Sequence, residues 1–219
     1  MVIKSLEVVN KNPAILHVEI HPFTSKEILG RLMNRNNYET QTQRGGYGEL
    51  SISSSRMPMK HDTELRKKIN KPEFKKEFGF EVSWQFLQLE TIRYPMTTPY
   101  KHLYKRYYEQ MLEHEFRIEP TIDLSGYYLD SHIDNRYIMW SGSINLIENQ
   151  NSTVLFDKDQ QLGNGHLNST PIYEGSRKRW EGTCWLNTEI TWHGVTPVPE
   201  GADRHTLLLN QFLISPPVC

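Results

Sequence analysis

Gly126-Tyr-Tyr-Leu-Asp-Ser-His-Ile-Asp134 begins a succession of short segments, extending to Ile214, in which apolar and polar residues alternate. Gly, Pro, Asn and Asp separate the segments, which is the pattern of β-strands joined by turns. The predicted strands are 126–134, 137–147, 152–156, 183–193 and 204–214. A run of strands that follows a run of helices favours an α+β or barrel arrangement over a parallel sheet. The expected fold class is therefore α+β and mainly β.

The first half of the chain, 1–116, is predicted to form a helix-containing layer that supports a barrel core at 117–214. No interdomain linker is visible in 1–219, so a single domain is expected, and 219 residues are enough to bury a core without disulfides. The elements predicted in the support layer are a strand at 14–20, a helix capped by Thr24 or Ser25 and ending near Asn34, a loop with a short hairpin at 36–60, a helix at 63–70, a strand at 80–86 and a helix at 100–114.

Composition excludes several classes of protein. The chain is 37% hydrophobic and carries a net charge of −1, so it is globular and lacks the basic excess of a dedicated nucleic-acid binder. Its two cysteines, Cys184 and Cys219, are too few for a disulfide scaffold. No apolar run is long enough to span a membrane, and the N-terminus lacks a signal-peptide core. A cytoplasmic protein with no membrane partner is expected.

Polar residues share one face of the first two predicted strands. Side chains two residues apart point to the same side of a strand, so His132 and Asp134 share a face with Tyr128. On the next strand Ser143 and Asn145 share a face. A row of hydroxyl and amide groups that points into a barrel needs polar partners, and a bound dicarboxylate would supply them.

The last two predicted strands carry a second group of polar residues. His193 precedes a stiff connection, Gly194-Val-Thr-Pro-Val-Pro-Glu-Gly-Ala-Asp203, and Arg204 and Thr206 follow it on one face of a strand. A guanidinium and a hydroxyl placed in this way can converge on one carboxylate.

Two imidazoles and one carboxylate form a ligand set that holds non-haem Fe(II) with coordination positions left open. His132, Asp134 and His193 are therefore candidate ligands if they meet in space. The alternatives are an ordinary surface contact between His132 and Asp134, and a surface salt bridge for Arg204. Thr206 is also a common strand residue, and Tyr128 could be part of the core.

The segments Gly126–Asp134 and Thr191–Thr206 together resemble the 2-oxoglutarate/Fe(II)-dependent oxygenases, closest to the prolyl-hydroxylase-like branch. The resemblance covers about 118–214 and implies a double-stranded β-helix, a jelly-roll or cupin-like barrel with supporting N-terminal helices. It implies that His132, Asp134 and His193 bind iron. The spacing from His193 to Arg204 is slightly longer than the family pattern.

Five further residues are candidates for the co-substrate site. The resemblance implies that Arg204 pairs with the distal carboxylate of 2-oxoglutarate and that Thr206 supports it. Tyr128, Ser143 and Asn145 are added as candidate co-substrate contacts from their positions on the strands. The cofactors implied are Fe(II), 2-oxoglutarate and O₂, with ascorbate as a candidate reductant.

The activity implied by the resemblance is hydroxylation of an aliphatic C–H of a small-molecule or peptide substrate, an amino acid that is free or within a peptide. Succinate and CO₂ are the co-products. Because Asp134 keeps a carboxylate where related halogenases have none, hydroxylation is favoured over halogenation. Two alternatives stay open: a nucleobase-modifying dioxygenase, which would need a basic groove lined by aromatic residues, and a non-catalytic jelly-roll module with a closed metal site.

Overall fold

The computed structural model describes residues 2–22, 26–39, 56–60, 64–69, 72–93, 116–135, 138–159, 162 and 170–212. In chain order the elements are β1 Ile3–Lys11, β2 Ala14–Ile20, α1 Lys26–Met33, a 3₁₀ turn Arg35–Asn37, β3 Arg56–Pro58, α2 Glu64–Ile69, α3 Pro72–Arg93, β4 Phe116–Asp123, β5 Leu129–His132, β6 Ile138–Asn145, β7 Thr153–Phe156, β8 Tyr173–Glu174, β9 Glu181–Leu186, β10 Trp192–Val195 and β11 Arg204–Phe212.

The strands form two antiparallel sheets. The seven-stranded sheet has the order β1-β2-β9-β6-β11-β4-β3, and the four-stranded sheet has the order β5-β10-β7-β8. From β4 to β11 the chain passes back and forth between the two sheets, and among the described strands only β7 and β8 follow one another within the same sheet. This alternation is the topology of a double-stranded β-helix, so the predicted jelly-roll barrel is confirmed. β1, β2 and β3 lengthen the larger sheet at its two edges.

The outer face of the larger sheet is apolar and packs against α3. Trp140 of β6 lies among Phe78 and Phe86 of α3 and Phe116 of β4, with ring centroids 5.4 to 6.4 Å apart. Its indole Nε1 donates a hydrogen bond of 2.8 Å to Ser83 Oγ, which satisfies the one polar atom of this fully buried ring. Because strand side chains alternate, Ser141 and Ser143 face the side of β6 opposite to Trp140, which is the interior of the barrel.

The strand predicted at 80–86 is wrong, because these residues lie within α3. Phe80-Glu-Val-Ser-Trp-Gln-Phe86 alternates like a strand, but a stretch of seven residues also fits a helical period. In the structure Phe78, Val82, Phe86 and Leu89 are buried, at spacings of four, four and three residues. The longer helical period therefore decides the structure of this segment.

The strand predicted at 183–193 is also wrong as a single element. β9 and β10 lie in different sheets and are separated by a turn in which Thr191 N donates to Thr188 O. The strands at 14–20, 137–147, 152–156 and 204–214 and the helix at 63–70 correspond to observed elements with small differences at their ends. The helix predicted at 100–114 and the caps Thr24 and Ser25 lie outside the described residues.

Gly182 lies where β9 passes closest to β6. A Cβ at this position would be 2.2 Å from Ser143 O and 2.9 Å from Ile144 Cα, two backbone atoms that cannot move without displacing the strand. We expect Gly182→Ala to lower the free energy of unfolding by roughly 1–3 kcal/mol, as other overpacked cores do. Urea denaturation measures this change. The control is Gly30→Ala in α1, where nothing lies within 4 Å and the helix should gain stability. A Gly182→Ala variant as stable as the wild type would contradict the packing described.

Among the described helices, even the 22-residue α3 lacks an apolar run of the kind that crosses a lipid bilayer.

Candidate functional site

His132, Asp134 and His193 meet inside the barrel. β10 pairs with β5 in a register that places His193 directly opposite His132, and Asp134 follows two residues after His132. His132 Nε2 lies 3.7 Å from Asp134 Oδ1, and His193 Nε2 lies 3.4 Å from Asp134 Oδ2. One potential ligand atom from each residue lies within 4.8 Å of the others. This spacing fits three ligands around one metal ion.

Backbone carbonyls fix the ring orientation of both histidines. His132 Nδ1 lies 3.2 Å from Asp130 O, and His193 Nδ1 lies 3.4 Å from Thr191 O. A carbonyl can only accept, so each contact places the proton of the neutral ring on Nδ1. The Nε2 atoms are then left with lone pairs that face Asp134, and this is the tautomer in which imidazole binds a metal through Nε2.

Asp134 is held by its own set of hydrogen bonds. Ser141 Oγ donates to Asp134 Oδ2 over 2.5 Å, and Asn210 Nδ2 donates to Ser141 Oγ over 2.8 Å. Asn187 Nδ2 lies 3.2 Å from the backbone oxygen of Asp134 and donates to it. The ring of Trp185 lies 4.5 Å from that of His193 and limits its movement. The carboxylate is therefore oriented before any ligand arrives.

The pKa shifts at this site favour the protonation states that bind metal. Burial, helped by the neighbouring His193, lowers the pKa of His132 to about 4. Burial opposes ionisation of Asp134, but His193 and the hydrogen bond from Ser141 outweigh it, and the pKa of Asp134 is well below its usual range. A neutral His132 and an ionised Asp134 at neutral pH are what a divalent cation requires.

Within the described residues, the cluster contains three side chains of the His, Cys, Asp and Glu types and no fourth one. A structural zinc site is closed by four protein ligands, whereas a catalytic site keeps a position for water or substrate. The donor set therefore resembles an open site.

The cluster lines a cavity of about 130 Å³ that two arginines also line, Arg56 of β3 and Arg204 of β11. Apolar side chains of Leu129, Val195 and Leu208 form part of its wall. The cavity thus combines a metal-binding group with cationic groups and a partly apolar lining.

Arg204 is buried and held from two sides. Its Nη1 donates to Asp123 Oδ2 over 2.8 Å, and its Nη2 donates to Thr153 Oγ1 over 2.9 Å. Asp123 also receives two hydrogen bonds from Arg56, from Nε over 2.6 Å and from Nη2 over 3.0 Å. Two guanidinium groups share one carboxylate, so the group carries one net positive charge.

The protonation states of this second group follow from its contacts. Burial opposes ionisation of Asp123, but Arg56 and Arg204 outweigh it and lower the pKa of Asp123. Tyr127 packs its ring 4.5 Å from Arg56 Cζ, and burial raises the pKa of Tyr127 to about 12, which keeps the phenol neutral. The net positive charge therefore persists at neutral pH, because arginine is not deprotonated in proteins.

The cavity contains five of the eight residues predicted from the sequence: His132, Asp134, His193, Arg204 and Ser143. Ser143 Oγ lies 3.0 Å from Thr153 Oγ1, the hydroxyl that accepts from Arg204.

The other three predicted residues, Thr206, Asn145 and Tyr128, do not line this cavity. Thr206 Oγ1 is hydrogen-bonded to Thr121 Oγ1 over 3.0 Å, and Asn145 Nδ2 donates to the backbone oxygen of Ser176 over 2.7 Å. Tyr128 is half-buried.

Sequence reasoning missed Arg56, Asp123 and Trp185. Arg56 lies in the segment 36–60, predicted as a loop with a short hairpin, and follows Ser51-Ile-Ser-Ser-Ser55, whose lack of a strand or helix period did not indicate that Arg56 would pair with β4 in the larger sheet. Asp123 ends a strand, β4, that was not among the clearest predicted ones. Trp185 lies on β9 directly opposite Ser141 of β6, and no pattern in the sequence predicted this pairing.

No protein-family model and no curated protein sequence matches the chain. Solved structures that are similar in overall fold include the following three. A prolyl-4-hydroxylase from Pseudomonas putida has 12% identity and a TM-score of 0.48, covering 85% of this chain and 84% of its own. A prolyl hydroxylase from Trichoplax adhaerens, in complex with a hypoxia inducible factor peptide fragment, has 11% identity and a TM-score of 0.49, covering 85% and 76%. A 2-oxoglutarate-Fe(II) oxygenase family protein from Burkholderia pseudomallei has 10% identity and a TM-score of 0.39, covering 95% and 73%. Similarity at this level concerns the fold alone.

Proposed function

We propose that the protein is an Fe(II)- and 2-oxoglutarate-dependent dioxygenase that hydroxylates an aliphatic C–H of an amino acid, either free or within a peptide. The observation that carries this proposal is one cavity lined both by two imidazoles with a carboxylate and by two arginines, Arg204 buried and Arg56 partly buried, with net positive charge. An open metal site next to a carboxylate-binding site is what a chelating keto-diacid requires. We further propose that residues 1–219 act as a single oxygenase domain.

His132, Asp134 and His193 would hold the metal. When bound, Fe(II) supplies the activation of O₂ that amino-acid side chains cannot perform. The contribution of the chain is orientation, because the carbonyls behind each Nδ1 and the Ser141 hydroxyl behind Asp134 fix the three donors. Three protein donors on one side leave room for the keto-acid end of 2-oxoglutarate and for O₂.

Arg204 would bind the distal carboxylate of 2-oxoglutarate. Its guanidinium is fixed by Asp123 and Thr153, so little side-chain entropy is lost when an anion binds. Leu129, Val195 and Leu208 give part of the cavity an apolar lining, which lowers the local dielectric and strengthens the electrostatic attraction.

The proposal predicts that 2-oxoglutarate is converted to succinate in the presence of Fe(II), ascorbate and air. Slow turnover is expected without substrate, and faster turnover is expected with members of a panel of amino acids and short proline-containing or lysine-containing peptides. Succinate is measured by mass spectrometry, with a chelator-treated sample as the control. If no succinate forms under any of these conditions, with or without the panel, the proposal is wrong.

A further inference from the structure

Arg56, Asp123 and Arg204 form one row across three neighbouring strands. In the antiparallel register Arg56 of β3 lies opposite Asp123 of β4, and Asp123 lies opposite Arg204 of β11. The row therefore has the charge order plus, minus, plus on the inner face of the larger sheet. Arg56 comes from an edge strand that is not one of the eight strands of the barrel.

The carboxylate of Asp123 is fully used by this row. Its Oδ1 accepts from Arg56 Nε, and its Oδ2 accepts from Arg56 Nη2 and from Arg204 Nη1. One carboxylate neutralises one of the two guanidinium groups. A buried charge without a counter-ion is costly, so the remaining positive charge favours binding of an anion in the cavity that both arginines line.

Arg56 is the more available of the two cations. Both Nη atoms of Arg204 donate within the protein, and its side chain is 2% exposed. The side chain of Arg56 is 15% exposed, and in the described part of the chain its Nη1 has no hydrogen-bond partner. The ring of Tyr127, 4.5 Å from Arg56 Cζ, restricts where this guanidinium can move.

We infer that Arg56 is a second carboxylate-binding residue of the cavity, and that it and Arg204 bind the same carboxylate of a 2-oxo diacid while Asp123 holds both in place. The inference rests on the proposed function, because it assigns Arg56 to the co-substrate site. It adds that an edge strand outside the barrel completes this site. The alternative is that Arg56 serves only as a structural partner that keeps Asp123 ionised.

Two ligands separate these possibilities. 2-Oxoglutarate carries the distal carboxylate, and 2-oxopentanoate has the same keto-acid end and chain length without it. Both are titrated by calorimetry into protein loaded with Mn²⁺ in place of iron, which removes turnover from the measurement. We expect Arg56→Gln to weaken 2-oxoglutarate binding roughly 10- to 100-fold, the cost of one charge-assisted hydrogen bond. Binding of 2-oxopentanoate should not change.

Two further variants control this experiment. Arg177→Gln removes an exposed guanidinium that pairs with the exposed Glu174 outside the cavity, and it should bind both ligands as the wild type does. Arg56→Lys keeps the positive charge next to Asp123 but loses the planar guanidinium fork. It replaces Arg56→Gln in the experiment if that variant does not fold. It should weaken 2-oxoglutarate several-fold and leave 2-oxopentanoate unchanged.

Equal affinity of the wild type and the Arg56 variants for 2-oxoglutarate would overturn the inference. An equal loss for both ligands would also overturn it, because Arg56 would then act through the general shape of the cavity. If wild-type protein loaded with Mn²⁺ binds neither ligand, the proposed function itself fails, and the inference fails with it. If the wild type binds 2-oxoglutarate and the Arg56 variants bind it equally well, the inference fails and the proposed function survives.

Discussion

Replacing His193 with alanine is expected to abolish metal-dependent turnover of 2-oxoglutarate. His193 supplies one of three donors, and in the described residues no fourth side chain of a metal-binding type is close enough to replace it. Loss of partners behind a metal ligand already costs 10- to 100-fold in metal affinity, so loss of the ligand itself should exceed roughly 100-fold. Metal content after dialysis measures the loss of metal affinity. Succinate formation measures the loss of turnover.

A surface histidine provides the matched control. His21 is exposed and lies outside the cavity, so His21→Ala removes one imidazole without touching the site. This variant should bind one equivalent of metal and form succinate at the wild-type rate. Thermal unfolding of metal-free protein shows whether His193→Ala still folds. A folded His193→Ala variant that retains tight stoichiometric metal binding would show that the ligand set is misassigned.

Replacing Asp123 with asparagine is expected to cause the largest loss of stability of any single substitution considered for this protein. The variant leaves the guanidinium groups of buried Arg204 and partly buried Arg56 side by side without their shared carboxylate. Removing one partner from a buried ion pair costs roughly 3–5 kcal/mol, and repulsion between the two arginines acts in the same direction. Urea denaturation at neutral pH measures the change in free energy of unfolding.

The effect of Asp123 should also depend on pH in a defined direction. The pKa of Asp123 in the folded protein is lowered from its ordinary value of 3.8 because the two arginines outweigh burial. A lowered pKa means that the folded state favours the ionised form, so the stabilisation is complete above pH 3.8 and is lost as the pH falls below it. The stability difference between the wild type and Asp123→Asn should therefore be constant near neutral pH and shrink in acid.

An exposed ion pair is the control for Asp123→Asn. Glu19 pairs with Lys4 at the surface, and Glu19→Gln removes one carboxylate there without uncovering a buried charge. This variant should unfold at nearly the wild-type urea concentration, because exposed pairs contribute little. If Asp123→Asn is as stable as Glu19→Gln, the row formed by Arg56, Asp123 and Arg204 does not carry the buried charge that the structure assigns to it.

The shared strand face of His132 and Asp134 could be predicted from the sequence by a local rule, whereas the place of His193 beside them was implied by the family resemblance and depends on the distant pairing of β10 with β5. Residues two apart share a strand face, and a tight antiparallel register then places His193 opposite His132. The same rule places Ser143 and Arg204, which line the cavity, on the same strand faces as Asn145 and Thr206, which do not. Thr206 and Asn145 lie opposite each other in the register, and their polar atoms are used by Thr121 and by the backbone of Ser176.

Arg56 and Asp123 could not be predicted, because their contact joins positions 67 residues apart through pairing of an edge strand. Edge pairing of a three-residue strand leaves no periodic signal in the sequence. The helix α3 was missed for a different reason, since Phe80–Phe86 is too short a window to separate the strand period from the helical one. Only the longer series that ends at Leu89 distinguishes them.

The most direct test of the central claim is a crystal structure of the protein soaked without oxygen in Fe(II) and 2-oxoglutarate. We expect one metal ion bound by Nε2 of His132, Nε2 of His193 and a carboxylate oxygen of Asp134. The keto-acid end of 2-oxoglutarate should occupy open positions on that ion, with its distal carboxylate within hydrogen-bond distance of Arg204. A metal ion bound elsewhere, or one whose remaining positions are filled by further side chains of the protein, would contradict the account.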